Sequence, residues 1–364
     1  MPTGSLQNAT TWRAVLCGVL LFLLADVTVF RSWLYAWISK PESSVGWVAR
    51  RTLFEPLRDL TPTRPGIALL GDSTMSAGCS AERLQELLGG PPVTVRDGSI
   101  PGTPMRVWPF VLAEITPPRD GWTLVVIGLQ DYDDDAQAER MGERVQDLAF
   151  LGPLMQFADA TAVAADFTER SARGDVWLAT FCKTYAWRRD VQDLCASPWQ
   201  RYQEVRRQFG RLRWGQPYEG ENRDLVGVRV EGDRIVGLGP EDTSIEGNLR
   251  LAIWPPQGVD NSDYRRRWLN RLADHVTAAG AELVVVRMPM QALPRAIARV
   301  PNTKVIDELR QRSRVHVLDV DLFAELEQPD YFFDGLHLNR RGRERFTALL
   351  AAALRRQFPA VLGR

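Results

Sequence analysis

The 364-residue chain reads as an α/β protein: a three-layer α/β/α body built on a mainly parallel five-stranded sheet, with a long insertion after the third strand and a transmembrane helix at the N-terminus. Three observations predict this. Short, wholly apolar runs of strand length alternate with segments of helical period, the pattern of βαβ units around a parallel sheet. That alternation fails between about residues 134 and 260 and then resumes. Ahead of it, Ala14 to Phe30 reads AVLCGVLLFLLADVTVF with a single acid, Asp26.

The apolar run comes first. At about 1.5 Å per residue it falls slightly short of a bilayer core of about 30 Å, but Trp33, Leu34, Tyr35, Trp37 and Ile38 extend it and supply interfacial aromatics. No small-x-small cleavage pattern follows, so a retained anchor over residues 1–42 is expected rather than a removed signal peptide. Arg31, Lys40, Arg50 and Arg51 outnumber Arg13, which taken alone favours a cytoplasmic body. Asp26 at membrane depth is costly unless paired, so it is expected to face another membrane protein or to snorkel. Residues 43–65 carry prolines and mixed polarity, a linker or lead-in.

The body spans residues 66–358. Gly66 to Leu70 (GIALL) is a buried strand, followed by the turn Gly71-Asp72-Ser73 and a helix over Ala81 to Leu88 with Ser80 as N-cap. Val93 to Arg96 is the second strand, and Val107, Phe110, Val111 and Ile115 mark the next helix. The third strand, Leu124 to Ile127, ends in Gly128-Leu129-Gln130-Asp131. The insertion carries a hairpin-like stretch, Val226 to Leu238. A helix (Tyr264 to Ala279), a strand (Leu283 to Met288), a helix near Thr303 to Arg312 and a strand (Val315 to Val320) complete the alternation before a closing helix that ends near Phe358. Helices are expected on both faces of the sheet.

Composition excludes several classes. With 45% hydrophobic and 25% charged residues the chain has a full core, which rules out disorder, collagen and coiled coil. Forty-five basic against 45 acidic residues leave no electrostatic footprint for a nucleic-acid partner. Four cysteines are too few for a disulfide scaffold and lack the spacings of a zinc site. No metal and no cofactor are expected. Whether Cys182 and Cys195, thirteen residues apart, form a local bridge stays open. The acidic run Asp131, Asp133, Asp134 and Asp135 reads as a solvated loop rather than a cation site. Trp177, Trp187, Trp199, Trp214 and Trp254 of the insertion are expected to pack a small core rather than to stack on sugar rings.

Chemistry is expected at the carboxyl ends of the strands. Ser73 follows the first strand at a turn that opens a helix, where free N–H groups and the helix dipole favour an anion. A serine hydroxyl needs an imidazole to take its proton and a carboxylate to orient that imidazole. The chain has three histidines. His275 lies mid-helix and His316 within a strand, both structural positions, whereas His337 sits in a loop three residues after Asp334. That carboxylate reaches either the imidazole or the backbone as a cap. Cys79 has no neighbouring histidine in sequence to activate it.

Gly66-Ile-Ala-Leu-Leu-Gly-Asp-Ser73, Ser99-Ile-Pro-Gly102-Thr103, Gly128-Leu-Gln-Asp131 and Asp334-Gly-Leu-His337-Leu-Asn, in that order and in those strand contexts, resemble the four blocks of the SGNH (GDSL-type) hydrolases. The resemblance covers about residues 66–358, apart from the insertion, and implies a flavodoxin-like fold. It implies Ser73 as nucleophile with Asp334 and His337 completing a triad, and an oxyanion hole formed by Ser73 N–H, Gly102 N–H and the side-chain amide at position 130. Gly98 is an alternative donor. The family has Asn where this chain has Gln130, an amide one methylene longer that must be re-aimed; losing one oxyanion donor costs about 2.7–4 kcal/mol of transition-state stabilisation.

With the anchor, the chain is similar to the membrane-tethered branch of that family. The resemblance implies a serine esterase or O-acyltransferase, a single-pass protein of the bacterial inner membrane with its body on the periplasmic or extracellular side. Its substrate would be an acylated envelope or secreted polysaccharide, and its partner a multi-spanning acyl-transfer membrane protein. The competing reading, supported by Gln130, is a catalytically weak binding or assembly component of an envelope polysaccharide complex.

Overall fold

The structure, a computed structural model, describes residues 4–55, 66–89, 93–116, 121–212, 222–255, 257–290, 292–293 and 300–362. The chain divides into two compact units: residues 1–50 with 148–213, and residues 51–147 with 214–364. The sequence boundaries at 42/43 and 65/66 therefore do not coincide with the packing boundary, and the insertion is shared between the units.

The larger unit is α/β and holds a five-stranded sheet, with every pairing parallel. Its strands are β1 (Gly66–Leu70), β2 (Thr94–Asp97), β3 (Leu124–Leu129), β6 (Glu282–Arg287) and β7 (Val315–Val317), in the order β2-β1-β3-β6-β7. The interior strands β1 and β3 are buried at every residue, which is why they read as unbroken apolar runs, while the edge strands β2 and β7 are partly exposed and more polar. The expected helices form at Ala81–Leu87, with Ser80 capping through the N–H of Arg83, and at Trp108–Ile115, Ser262–Ala278, Lys304–Arg310 and Arg340–Gln357. The hairpin within the insertion is β4 (Arg229–Glu231) paired with β5 (Arg234–Val236). β1 leads to β2 on one side and β3 returns on the other, so the strand order reverses at β1 and opens a crevice at its carboxyl end.

The smaller unit is helical. Its first helix, Gly4–Ala25, continues through a π-helical turn, Asp26–Phe30. Thr11–Phe30 is long and apolar enough to cross a membrane, and its side chains are nearly all exposed. The remaining helices include Ser44–Ala49, Leu148–Leu154, Phe157–Ala164, Arg170–Phe181, Lys183–Ala186, Arg188–Ala196 and Pro198–Leu212.

Several expectations are corrected here. Asp26 neither snorkels nor waits for another membrane protein: its carboxylate accepts from Thr184 N at 2.7 Å and Thr184 Oγ1 at 2.8 Å, and pairs with Arg31 Nε at 3.2 Å. The question left open for Cys182 and Cys195 is answered in the same place: both are free thiols, and the Sγ of Cys182 lies 3.7 Å from Asp26 Oδ1. Of the insertion tryptophans, Trp187 alone is a fully buried core residue; Trp199 and Trp177 are surface residues, Trp254 is partly buried and Trp214 lies outside the described residues. The acidic loop is not solvated, because Asp133 and Asp134 are buried. Asp133 accepts from the N–H groups of Asp135 and Asn302, and Asp134 accepts from Val305 N and pairs with Arg265 at 2.8 Å.

Trp187 packs edge-on against Tyr35, Phe30 and Trp33, with ring centroids 5.0, 6.1 and 5.9 Å away. Truncating a fully buried indole costs about 3–5 kcal/mol through lost burial and a cavity. Urea denaturation of the full chain in detergent micelles should accordingly show Trp187→Ala lowering the unfolding free energy by that amount, whereas Trp199→Ala, on the surface, should leave it within about 0.5 kcal/mol.

Candidate active site

Ser73 is the first residue of a short helix, Ser73–Gly78, directly beyond β1, and Asp72 caps that helix by accepting from Thr74 N at 2.8 Å. His337 arrives from a loop 264 residues later. This loop closes on itself: Phe332 bridges Leu338, Phe333 N donates to His337 O at 3.1 Å, and the Phe333 ring stacks on the imidazole at 5.6 Å. The three residues singled out in the sequence are thereby brought together. His337 Nε2 lies 2.8 Å from Ser73 Oγ, and Nδ1 lies 2.9 and 3.1 Å from the two carboxylate oxygens of Asp334. His275 and His316 are elsewhere; His316 pairs with Glu282 at 2.9 Å.

Asp334 is the organiser of the loop. Besides the imidazole it accepts from Leu336 N at 2.8 Å, His337 N at 2.7 Å and Asn248 Nδ2 at 3.1 Å. Burial alone would raise its carboxyl, but the hydrogen bond and charge of His337 and the two backbone donors outweigh it and hold the group below its ordinary value. An ionised carboxylate only accepts, so Nδ1 carries the ring proton and Nε2 is left as the acceptor for the serine O–H.

Asn248 is a site residue that sequence reasoning missed. It belongs to the helix Thr243–Ile253 of the insertion, which carries no motif. Gly335 explains how that helix comes so close: a Cβ at 335 would stand 2.6 Å from Leu249 N and 2.7 Å from Asn248 C, both rigid backbone. Arg51 was also missed, having been counted only as a flanking charge. Its guanidinium is buried, pairs with Asp97 at 2.5 Å and donates to Ser99 O at 2.9 Å and Ser76 Oγ at 3.2 Å, tying the loop after β2 to the Ser73 helix. Nothing in a Pro-bearing lead-in signals such a role.

Ser73, Gly102 and Gln130 line one cleft of about 200 Å³, with Thr103, Met105, Trp108, Leu129, Met141 and Arg144 among its other walls. Gly102 sits at φ 77°, a left-handed conformation that glycine adopts without a Cβ penalty. Among the described residues the N–H groups of Ser73 and Gly102 make no hydrogen bond, so both are free donors. Gly98 is excluded as the alternative, because its N–H already donates to Leu69 O at 2.8 Å. The Gln130 amide is held on both sides: Nε2 donates to Asp72 Oδ2 at 2.6 Å and Oε1 accepts from Gln137 Nε2 at 3.3 Å. One N–H of Gln130 is thus committed to the residue beside the serine, and one remains. Cys79 offers no second nucleophile, since burial pushes its thiol up to about 12. No group of ligands suited to a metal ion occurs among the described residues.

Because the carboxyl of Asp334 is depressed in the folded state, its contribution to stability is fully present above its unfolded value of about 3.8 and is lost as pH falls through the lower folded value. Asp334→Asn should therefore be less stable than the wild type by about 1.5–3 kcal/mol at pH 7, the worth of hydrogen bonds to a charged group, with the gap narrowing below pH 4. Urea midpoints of both proteins at several pH values check this. Compared with protein-family models and with curated protein sequences, the chain matches none, so the reading of this site rests on its geometry.

Proposed function

We propose that this chain is a membrane-tethered serine esterase or O-acyltransferase of the SGNH type, with the three-layer α/β/α body that this implies. The observation that carries the reading is the continuous chain Ser73 Oγ, His337 Nε2, His337 Nδ1, Asp334, with hydrogen-bond distances of 2.8 and 2.9 Å. A packing role gives no reason to align a hydroxyl, an imidazole and a buried carboxylate at the mouth of a cleft.

In this mechanism Ser73 Oγ attacks the ester carbonyl while Nε2 accepts its proton, and Asp334 holds the imidazolium that forms. The oxyanion of the tetrahedral intermediate is held by the free N–H groups of Ser73 and Gly102, aided by the dipole at the helix start and the second N–H of Gln130. The imidazolium then gives its proton to the leaving alcohol, an acyl group remains on Ser73 Oγ, and water or a sugar hydroxyl, deprotonated by Nε2, takes that acyl group.

An acylated polysaccharide of the cell envelope, or one being secreted, is the proposed substrate, with the body on the periplasmic side of the inner membrane and a multi-spanning acyl-transfer protein as partner. The engagement of the flanking arginines removes one argument against that orientation. Arg31 and Arg51 serve internal carboxylates and carbonyls, which gives them a structural reason to be present and weakens the charge count that favours a cytoplasmic body.

A serine-directed fluorophosphonate should label the detergent-solubilised full chain, and p-nitrophenyl acetate should be turned over. Ser73→Ala and His337→Ala should abolish labelling, whereas Asn248→Ala, which leaves three donors on Asp334, should slow it without abolishing it. A folded wild type that is not labelled would sink the enzymatic reading. Alkaline phosphatase fused after Arg364 should be active in cells if the body lies outside the cytoplasm, and inactive if it does not.

A further inference from the structure

Besides the apolar span itself, Leu34, Trp37, Ile38 and the stacked pair Trp199 and Tyr202, the helical unit exposes one further group of apolar side chains. Phe157, Leu178 and Phe181 are 54%, 50% and 58% exposed, and Trp177 is 37% exposed. The three aromatics form one cluster, with Phe157 and Phe181 4.8 Å apart by ring centroids and Trp177 stacked on Phe181 at 5.9 Å, and Leu178 stands three residues before Phe181 on the same helix. Single exposed hydrophobics need no explanation, but a contiguous group of three aromatics and a leucine marks a surface that is covered by something.

Its position identifies the cover. Arg31, the residue after the apolar span Thr11–Phe30, donates to Phe181 O at 2.5 Å and Thr180 O at 3.3 Å and lies over the Phe157 ring at 6.0 Å. The aromatic cluster is therefore fixed to the residue at which the span ends. The helix Arg170–Phe181 is also polarised along its length. Its charged residues Arg170, Arg173 and Asp175 fill the first half, and Trp177, Leu178 and Phe181 the half that touches Arg31. A helix of twelve residues is about 18 Å long, enough to run from an interfacial layer into water. Aromatic rings beside a cationic side chain at the end of an apolar helix are what the headgroup boundary of a bilayer favours.

We propose that Phe157, Trp177, Leu178 and Phe181 form a second membrane contact, inserting into the headgroup and acyl boundary of the bilayer that the span crosses, so that the unit is held to the lipid surface at two places and not only by its helix. This rests on the reading of Thr11–Phe30 as a membrane span.

Site-directed nitroxide labelling tests it. The full chain, with Cys17, Cys182 and Cys195 replaced by Ser and buried Cys79 kept, is reconstituted into phosphatidylcholine–phosphatidylglycerol vesicles carrying one label at a time at Phe157→Cys, Phe181→Cys, Val27→Cys or Arg170→Cys. Collision with oxygen, which partitions into lipid, is compared with collision with a water-soluble nickel chelate. Labels at 157 and 181 should favour oxygen, as the label at 27 in the span does, and the label at 170 should favour nickel. Nickel access at 157 and 181 with oxygen access at 27 would overturn the second contact and leave the anchor standing. Nickel access at 27 would overturn the anchor and the contact with it. Shielding of 157 and 181 from both reagents would mean that protein covers the cluster, which also overturns the proposal.

Discussion

The arrangement of the site depends on one buried carboxylate. Asp334 takes four donors from three residues, two of them backbone N–H groups of its own loop, one the imidazole and one the side-chain amide of Asn248. The backbone bonds wind residues 334–337 into a tight turn, and that turn sets where the imidazole can go. A carboxylate moved out of water without such partners would take up a proton, and a neutral acid could neither hold the turn nor orient the ring. Removing it would disturb the backbone, the imidazole and the contact with the insertion together, so effects at these positions will not add.

The other half of the site is set by the sheet. β1 lies between β2 and β3, so the turn after β1 is the point from which the chain departs in one direction and later returns in the other. Ser73 and Gly102, whose N–H groups are free, belong to the segments that follow the neighbouring strands β1 and β2, and both line one cleft. Asp72 adds a local constraint. Burial raises its carboxyl, and bonds from Thr74 and from Gln130 offset that only in part. The extra methylene of Gln130 thus has a use in this chain: it lets the amide reach the carboxylate beside the nucleophile at 2.6 Å while its oxygen is held by Gln137.

Much of this was legible in the sequence, and what was not shares a cause. β1, β3 and β6 announce themselves because burial on both faces demands unbroken apolar residues, and the cap at Ser80 follows from the side-chain oxygen that a helix start requires. Ser73, Asp334 and His337 were legible as a pattern of blocks, although only the folded chain shows that the imidazole reaches the serine. Asn248, Arg51 and the burial of Asp133 and Asp134 were not, since each depends on a partner far away in the chain: Asp334, Asp97 and Ser99, Asn302 and Arg265. A carboxylate that a distant arginine neutralises has the same local sequence as one in water. Gly335 is intermediate. It is visible inside its block, but its reason, the backbone of a helix passing 2.6 Å from where a Cβ would be, belongs to a segment with no signature.

The same principle bears on membrane orientation. Counting arginines beside an apolar helix treats each as a signal for the translocation machinery, and the count is informative when nothing else accounts for their presence. Here Arg31 is bonded to Asp26 and to the carbonyls at the end of the helix Arg170–Phe181, and Arg51 is buried against Asp97 and Ser99. Each would be retained by the fold on whichever side of the membrane the body stands. Arg50 is likewise buried over the Trp47 ring and Lys40 lies 4.0 Å from Glu204, so every basic residue between the apolar run and residue 51 has a partner within the fold, and the count of charges says little by itself about which side of a membrane the body would take.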